Sequence, residues 1–243
     1  ARAAANPIAS IALVQLMRAS QRLGVVEGLW AESATYSMLQ AGPEFGAWIA
    51  RERRPPTTAA ERGAPLRVVR HDGEIDLTFC RPEVRNAFGF EVRDALVEAL
   101  QLAAADGGVT SVVLRGEGRS FCSGGDLREF GTTPDPATAH LVRSVRSAGY
   151  WLSILRPRLR AEIHGACVGS GIELAAFASH VRAAADTTIE LPEVSMGLVP
   201  GAGGTVSIPR RIGRHRFVLL ALSGTSLDAT TALEWGLVDA VGG

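Results

Sequence analysis

The chain has 243 residues, 47% hydrophobic and 21% charged, and its 25 basic and 25 acidic side chains cancel. That neutrality excludes a general nucleic-acid or membrane-surface binder, while the length suffices to bury a core in one domain of moderate size. No apolar run approaches a membrane span, the longest being of the Phe217-Val-Leu-Leu-Ala-Leu222 kind.

Residues 8–50 read as helices. Ile8, Ile11, Ala12, Val14 and Met17 mark a mostly apolar first one; Leu29, Trp30, Ser33, Tyr36, Met38 and Leu39 mark a second; Pro43 opens a short third through Phe45, Trp48 and Ile49. Arg2, Arg18 and Arg22 precede any acid, as in a transit peptide, but the periodicity runs on into an acidic, aromatic-bearing segment and the stretch is read as part of the fold. Residues 51–65 combine charge with Pro55, Pro56, Gly63 and Pro65 and lack periodicity, which reads as a linker.

Beyond it, Leu66 to Arg70 and Glu74 to Phe79 flank His71-Asp72-Gly73 as a β-hairpin. Arg81 to Asn86 reads as loop. Val92, Leu96 and Leu100 mark a helix ending near Gly107-Gly108, and Ser111 to Leu114 a short buried strand. Phe121-Cys-Ser-Gly-Gly-Asp-Leu127 is a glycine-rich bend expected to lead into a helix, with Asp126 as its N-cap. Ala137 to Leu155 is expected as one helix stopped by Pro157, and Val206 to Ile212, Arg216 to Leu222 and the segment after Ser226 as three more. Strands alternating with helices indicate an α/β architecture.

Between these lies the stretch with most chemistry. A strand, Leu159 to Ile163, runs into His164-Gly-Ala-Cys-Val-Gly-Ser-Gly-Ile-Glu173, where a helix starts; Leu191-Pro-Glu193 then leads to Gly197 and Pro200-Gly-Ala-Gly-Gly-Thr205. Unpaired N–H groups at a helix start face whatever occupies the bend. Glu173 alone could merely complement the helix dipole. A second glutamate in a turn-rich segment points further, because two carboxylates brought together can activate a water and deliver a proton. His164 reads as a strand-end residue.

Cys80, Cys122 and Cys167 are odd in number and widely spaced, which favours buried free thiols and a cytoplasmic setting. The five histidines are scattered and no Cys or His falls at ligand spacing, so no metal is expected. A dinucleotide site would need a third glycine and a downstream acid after Gly169-Ser-Gly171, and a serine-hydrolase elbow would need glycine at Val168.

From Leu66 to Val241 the chain resembles the crotonase (enoyl-CoA hydratase/isomerase) superfamily. Four motifs agree in order and spacing: Arg81-Pro-Glu-Val-Arg-Asn-Ala87, Phe121 to Leu127, Gly169-Ser-Gly-Ile-Glu173, and Pro192-Glu193 with Gly197 and Pro200 to Thr205. The resemblance implies a spiral of ββα units with an acyl-CoA thioester site, coenzyme A entering as part of the substrate and no separate cofactor. It implies an oxyanion hole from the backbone N–H groups of Gly125 and Ser170, catalysis by Glu173 and Glu193, and a water held by Gly201. Arg85, Asn86, Cys122, Asp126 and Leu127 would face substrate, with Arg81 or Arg85 near the phosphates. Ser170 departs from the more frequent glycine, yet its main chain does the binding. The activity implied is hydration of a trans-2-enoyl-CoA; the alternatives are an enoyl-CoA isomerase and a non-catalytic acyl-CoA-binding or assembly subunit. Residues 131–155, with Tyr150 and Trp151, would shape the acyl pocket.

The family's usual helical tail is not found after Val241, whereas residues 1–56 resemble it. The expectation is a circularly permuted crotonase: a helical module at 1–50, a linker at 51–65 and the core at 66–243, assembled as a homotrimer or homohexamer by resemblance.

Overall fold

The computed structural model describes residues 2–52 and 63–242, so most of the expected linker lies outside the described residues. The N-terminal region is helical: α1 (Arg2–Ala5), α2 (Pro7–Ala19), α3 (Val25–Gln40) and α4 (Pro43–Arg51). Prolines stand at the first positions of α2 and α4, where no intrahelical N–H bond is lost. The Glu44 carboxylate accepts the N–H groups of Ile8 and Ala9 at 2.7 and 2.9 Å, so one helix caps another.

The hairpin follows as β1 (Leu66–His71) and β2 (Glu74–Phe79), antiparallel, with Asp72 left-handed at φ +52° in the turn. Then come α5 (Phe90–Ala105), β3 (Ser111–Gly116), α6 (Pro136–Val145), α7 (Ala148–Leu155), β4 (Leu159–Ile163), β5 (Ala166–Val168), α8 (Ser170–Ala175), β6 (His180–Ala183) and β7 (Thr188–Glu190). The chain closes with α9 (Gly204–Ile212), α10 (Arg214–Ser223), β8 (Leu227–Asp228), α11 (Ala229–Trp235) and β9 (Ala240–Val241). One sheet runs β1-β2-β3-β4-β6-β9, parallel after the first pair; a smaller one runs β5-β7-β8. Leu77, Val112, Leu114, Leu159 and Val181 are buried on the main sheet, and Leu96, Leu100, Leu152 and Leu155 bury the faces of α5 and α7. Among the described residues no helix is long and apolar enough to cross a membrane.

Two expectations fail locally. No helix follows Asp126: residues 127–131 are turns, and the carboxylate instead accepts from the N–H and Nε of Arg128 at 3.0 and 2.8 Å. The expected helix over Ala137–Leu155 is two, because Ser147 takes the N–H of Tyr150 and starts α7 afresh. The N-terminal helices share one apolar cluster with the sheet, α3 packing on α6 and α9 and α2 on α10.

Candidate active site

Three bends stack like successive turns of a coil. Phe88 N–H donates to Gly124 O at 2.8 Å and Asp126 N–H to Phe88 O; Cys122 pairs in parallel with Cys167, and Val168 N–H donates to Cys122 O at 3.0 Å. This lays Gly125 beside Ser170. Among the described residues neither N–H of this pair donates to a protein acceptor, and both residues line one cavity of about 210 Å³.

Glu173 and Glu193 line the same cavity, at 2% and 8% exposure. Glu173 projects from α8, and its Oε2 accepts the N–H groups of Ala202 and Gly204 at 2.7 and 2.9 Å. Burial pushes its proton affinity well up, as do the Glu193 and Glu32 carboxylates, against the pull of those two N–H groups. Glu193 opens a single helical turn after Pro192, and its buried Oε2 has no hydrogen-bond partner among the described residues. Burial pushes this carboxyl up to about 8, which favours its neutral form. Glycine is required beside it: Gly169 sits at φ +49°, and a Cβ there would lie 2.5 Å from Glu193 Oε1.

Gly201 also lines the cavity, with the Tyr36 ring lying where its Cβ would be. Asp126 is there too, tied to Arg128. The remaining expected contacts sit elsewhere. Asn86 is buried in the loop scaffold: its Oδ1 takes Arg81 N–H and its Nδ2 donates to Glu117 O and Ser120 O, each at 2.9 Å. Cys122 is fully buried behind the bend, its thiol pushed up to about 11 by burial, and serves through its backbone. Arg85, left-handed at φ +54°, and the half-exposed Leu127 lie outside the cavity lining. The 131–155 segment lines it through Thr133, Arg143, Arg146 and Ser147 to Gly149, whereas Tyr150 and Trp151 pack edge to face on each other. His164 meets Gly118 O at 3.0 Å, away from the cavity.

Sequence reasoning missed the contribution of α3. Leu29, Glu32, Ser33, Tyr36 and Gln40 form one wall, and Glu32, 2% exposed, adds a third buried carboxylate. An acid on the same helical stripe as Leu29, Tyr36 and Leu39 was the available signal.

The arrangement suits chemistry on a carbonyl compound: paired N–H donors for a developing oxyanion, with two carboxyls of raised proton affinity facing them. Comparison with known proteins agrees with it. Residues 70–242 match the enoyl-CoA hydratase/isomerase family. The chain is 36% identical over 156 residues to a probable enoyl-CoA hydratase of Bacillus subtilis strain 168, covering 63% of this chain and 60% of that one. It is 33% identical over 172 residues to the 1,2-epoxyphenylacetyl-CoA isomerase of Escherichia coli K12, covering 68% and 65%. Among solved structures, one from Thermobifida fusca YX in complex with acetoacetyl-CoA superposes with a TM-score of 0.67 at 25% identity, covering 73% of each chain. The matched segment carries both glycine bends, Glu173 and Glu193, and the chain belongs to the enoyl-CoA hydratase/isomerase family.

Proposed function

We propose that the protein adds water across the double bond of a trans-2-enoyl-CoA. The observation that carries this is the convergence of two buried carboxyls and two unpaired N–H groups on one cavity. The thioester carbonyl oxygen accepts from Gly125 and Ser170, which lets charge move onto it as the β-carbon is attacked. Such preorganised donors contribute about 2.7–4 kcal/mol each. Glu173, oriented by the N–H groups of Ala202 and Gly204, accepts the proton of the attacking water in the state where it is the ionised member of the pair. Glu193, protonated in that state, gives its proton to the α-carbon as the enolate collapses. The next water entering between them carries a proton from Glu173 back to Glu193.

Loss of the conjugated enoyl absorbance measures the reaction. Glu173→Gln and Glu193→Gln are each expected to lower kcat by roughly 10²–10⁴-fold. Full hydration by either variant would remove the two-carboxyl mechanism. One observation favours an isomerase instead: Glu173 Oε2 is held by two backbone N–H groups, whereas Glu193 Oε2 has no hydrogen-bond partner among the described residues, as a single proton shuttle between carbons would need. A parent that shifts a 3-enoyl double bond but does not hydrate would select that reading; one that binds CoA esters and does neither would be a binding subunit.

The order of the pieces supports a circular permutation. The family match begins at residue 70, yet the helices that wall the cavity and cover α9 and α10 come before it.

A further inference from the structure

Four consecutive backbone N–H groups, from Ala202 to Thr205, are shared in alternation between two carboxylates. Ala202 and Gly204 donate to Glu173 Oε2 at 2.7 and 2.9 Å. Gly203 donates to Glu32 Oε1 at 2.6 Å, and Thr205 gives Glu32 Oε2 both its N–H at 2.8 Å and its hydroxyl at 2.7 Å. The two acids come from different elements, Glu173 from α8 and Glu32 from α3. Neither can shift without moving the strand of amides that the other holds.

A helix cap alone does not require this. The start of α9 could be satisfied by one acid or by water, whereas here a second carboxylate is buried at real desolvation cost. Burial pushes Glu32 up to about 7, opposed by the Thr205 hydroxyl and N–H, by Gly203 N–H and by Arg143. The groups coupled to it electrostatically are Arg143 from α6, Tyr36 from its own helix, Glu173 and Glu193; His140 of α6 meets the adjacent Ser33, and Arg93, Asp126, Glu129 and Arg146 line the same cavity. Arg143 is spoken for: it donates to Ser33, Ser37 and Gln40 and lies 4.5 Å over the Tyr36 ring. Among the described residues no carboxylate lies within 4 Å of it, so it is not a salt-bridge partner that would explain Glu32. Three donors converge on Glu32, and all belong to the turn that opens α9 and orients Glu173.

We infer that Glu32 is a positioning residue for the reaction: it fixes the 202–205 amides so that Glu173 presents its free edge to the attacking water. This rests on the reading of Glu173 and Glu193 as the acid and base. A glutamine at 32 keeps the size, but its amide N–H₂ must face a backbone N–H of Gly203 or Thr205, so one side of the comb opens.

The test compares the parent with Glu32→Gln and Glu32→Asp, reading kcat, the Kd for a saturated acyl-CoA, solvent-proton exchange at the α-carbon of that ester, and the pH profile of kcat. Glu32→Gln is expected to lose roughly a hundredfold in kcat, as misplaced catalytic groups do, with the Kd changed less than about threefold. Where Glu32 is ionised its charge raises the proton affinity of Glu173 and Glu193, so Glu32→Gln moves both limbs of the profile to lower pH, whereas Glu32→Asp keeps an ionisable acid there and leaves the limbs in place. A cap that only stabilises would lower the melting temperature and move neither limb. Unchanged kcat and limbs in a folded Glu32→Gln overturn the inference. If Glu32→Gln does not fold, Thr205→Val, which removes one donor and keeps every charge, is expected to lose roughly tenfold in kcat, and an unchanged rate overturns the inference equally. A parent that neither turns over nor exchanges defeats the underlying functional reading instead.

Discussion

A carboxyl buried in neutral form ties the stability of the molecule to pH. Glu193 moves from an ordinary 4.5 to about 8 in the folded chain. Between those values the folded state binds more protons than the unfolded one, so this contribution is whole below about pH 4.5 and is lost as pH rises towards 8. Glu173 and Glu32 are displaced in the same direction and add to the slope. Asp106, Asp135 and Asp228 are displaced downward by backbone N–H groups and titrate below that window. Urea unfolding is therefore expected to show stability falling from pH 5 to pH 8. Glu193→Gln, which cannot ionise, should flatten the slope and exceed the parent at pH 8 by about 1–3 kcal/mol. A parent that gains stability over that range would contradict the buried neutral acid.

At the level of elements, the site depends on an aromatic brace from the first four helices. Trp48 of α4 stacks on Phe45 at 5.8 Å and meets Phe130 edge-on at 5.9 Å. Phe130 in turn fills the space where a Gly125 side chain would stand. Trp48→Ala is expected to cost about 3–5 kcal/mol by thermal or urea unfolding, and to raise KM more than it lowers kcat, since Phe130 loses its support. Equal loss of both would place the brace nearer the chemistry. What could be read from the sequence at this scale was local. The β1–β2 hairpin, α5 and the glycine bends follow from turn residues and periodicity within a few positions. The break at Ser147 rests on a cap that competes with a continuing apolar pattern, and Asp126 bends its own loop where a helix cap was expected. Glu32 meets Gly203 and Thr205 only through the packing of α3 on α9, and no local pattern encodes that meeting.

For the whole molecule, the helices that precede the family segment are part of one packed body with it. If they stand in for the family's usual tail, chain order is dispensable provided the packing is kept. A gene rearranged to place residues 1–52 after residue 243, through a flexible joint, is expected to give a protein with the parent's melting temperature within a few degrees and its hydration rate within about tenfold. Loss of folding in that chain would mean that the present order is needed to dock α3.

The stacking of the bends has a consequence for how such a site can vary. Gly125 and Ser170 are brought together by backbone pairing between adjacent turns of the coil, Phe88 with Gly125 and Cys122 with Cys167. Neighbouring paired backbones stand about 4.7–4.9 Å apart whatever side chains they carry. The two bends are thus registered by the Cys122–Cys167 backbone pairing, three residues before each donor, and a serine can occupy position 170 without disturbing that pairing. Divergence can rework the walls and the acids while the ruler against which the carbonyl is measured keeps its length.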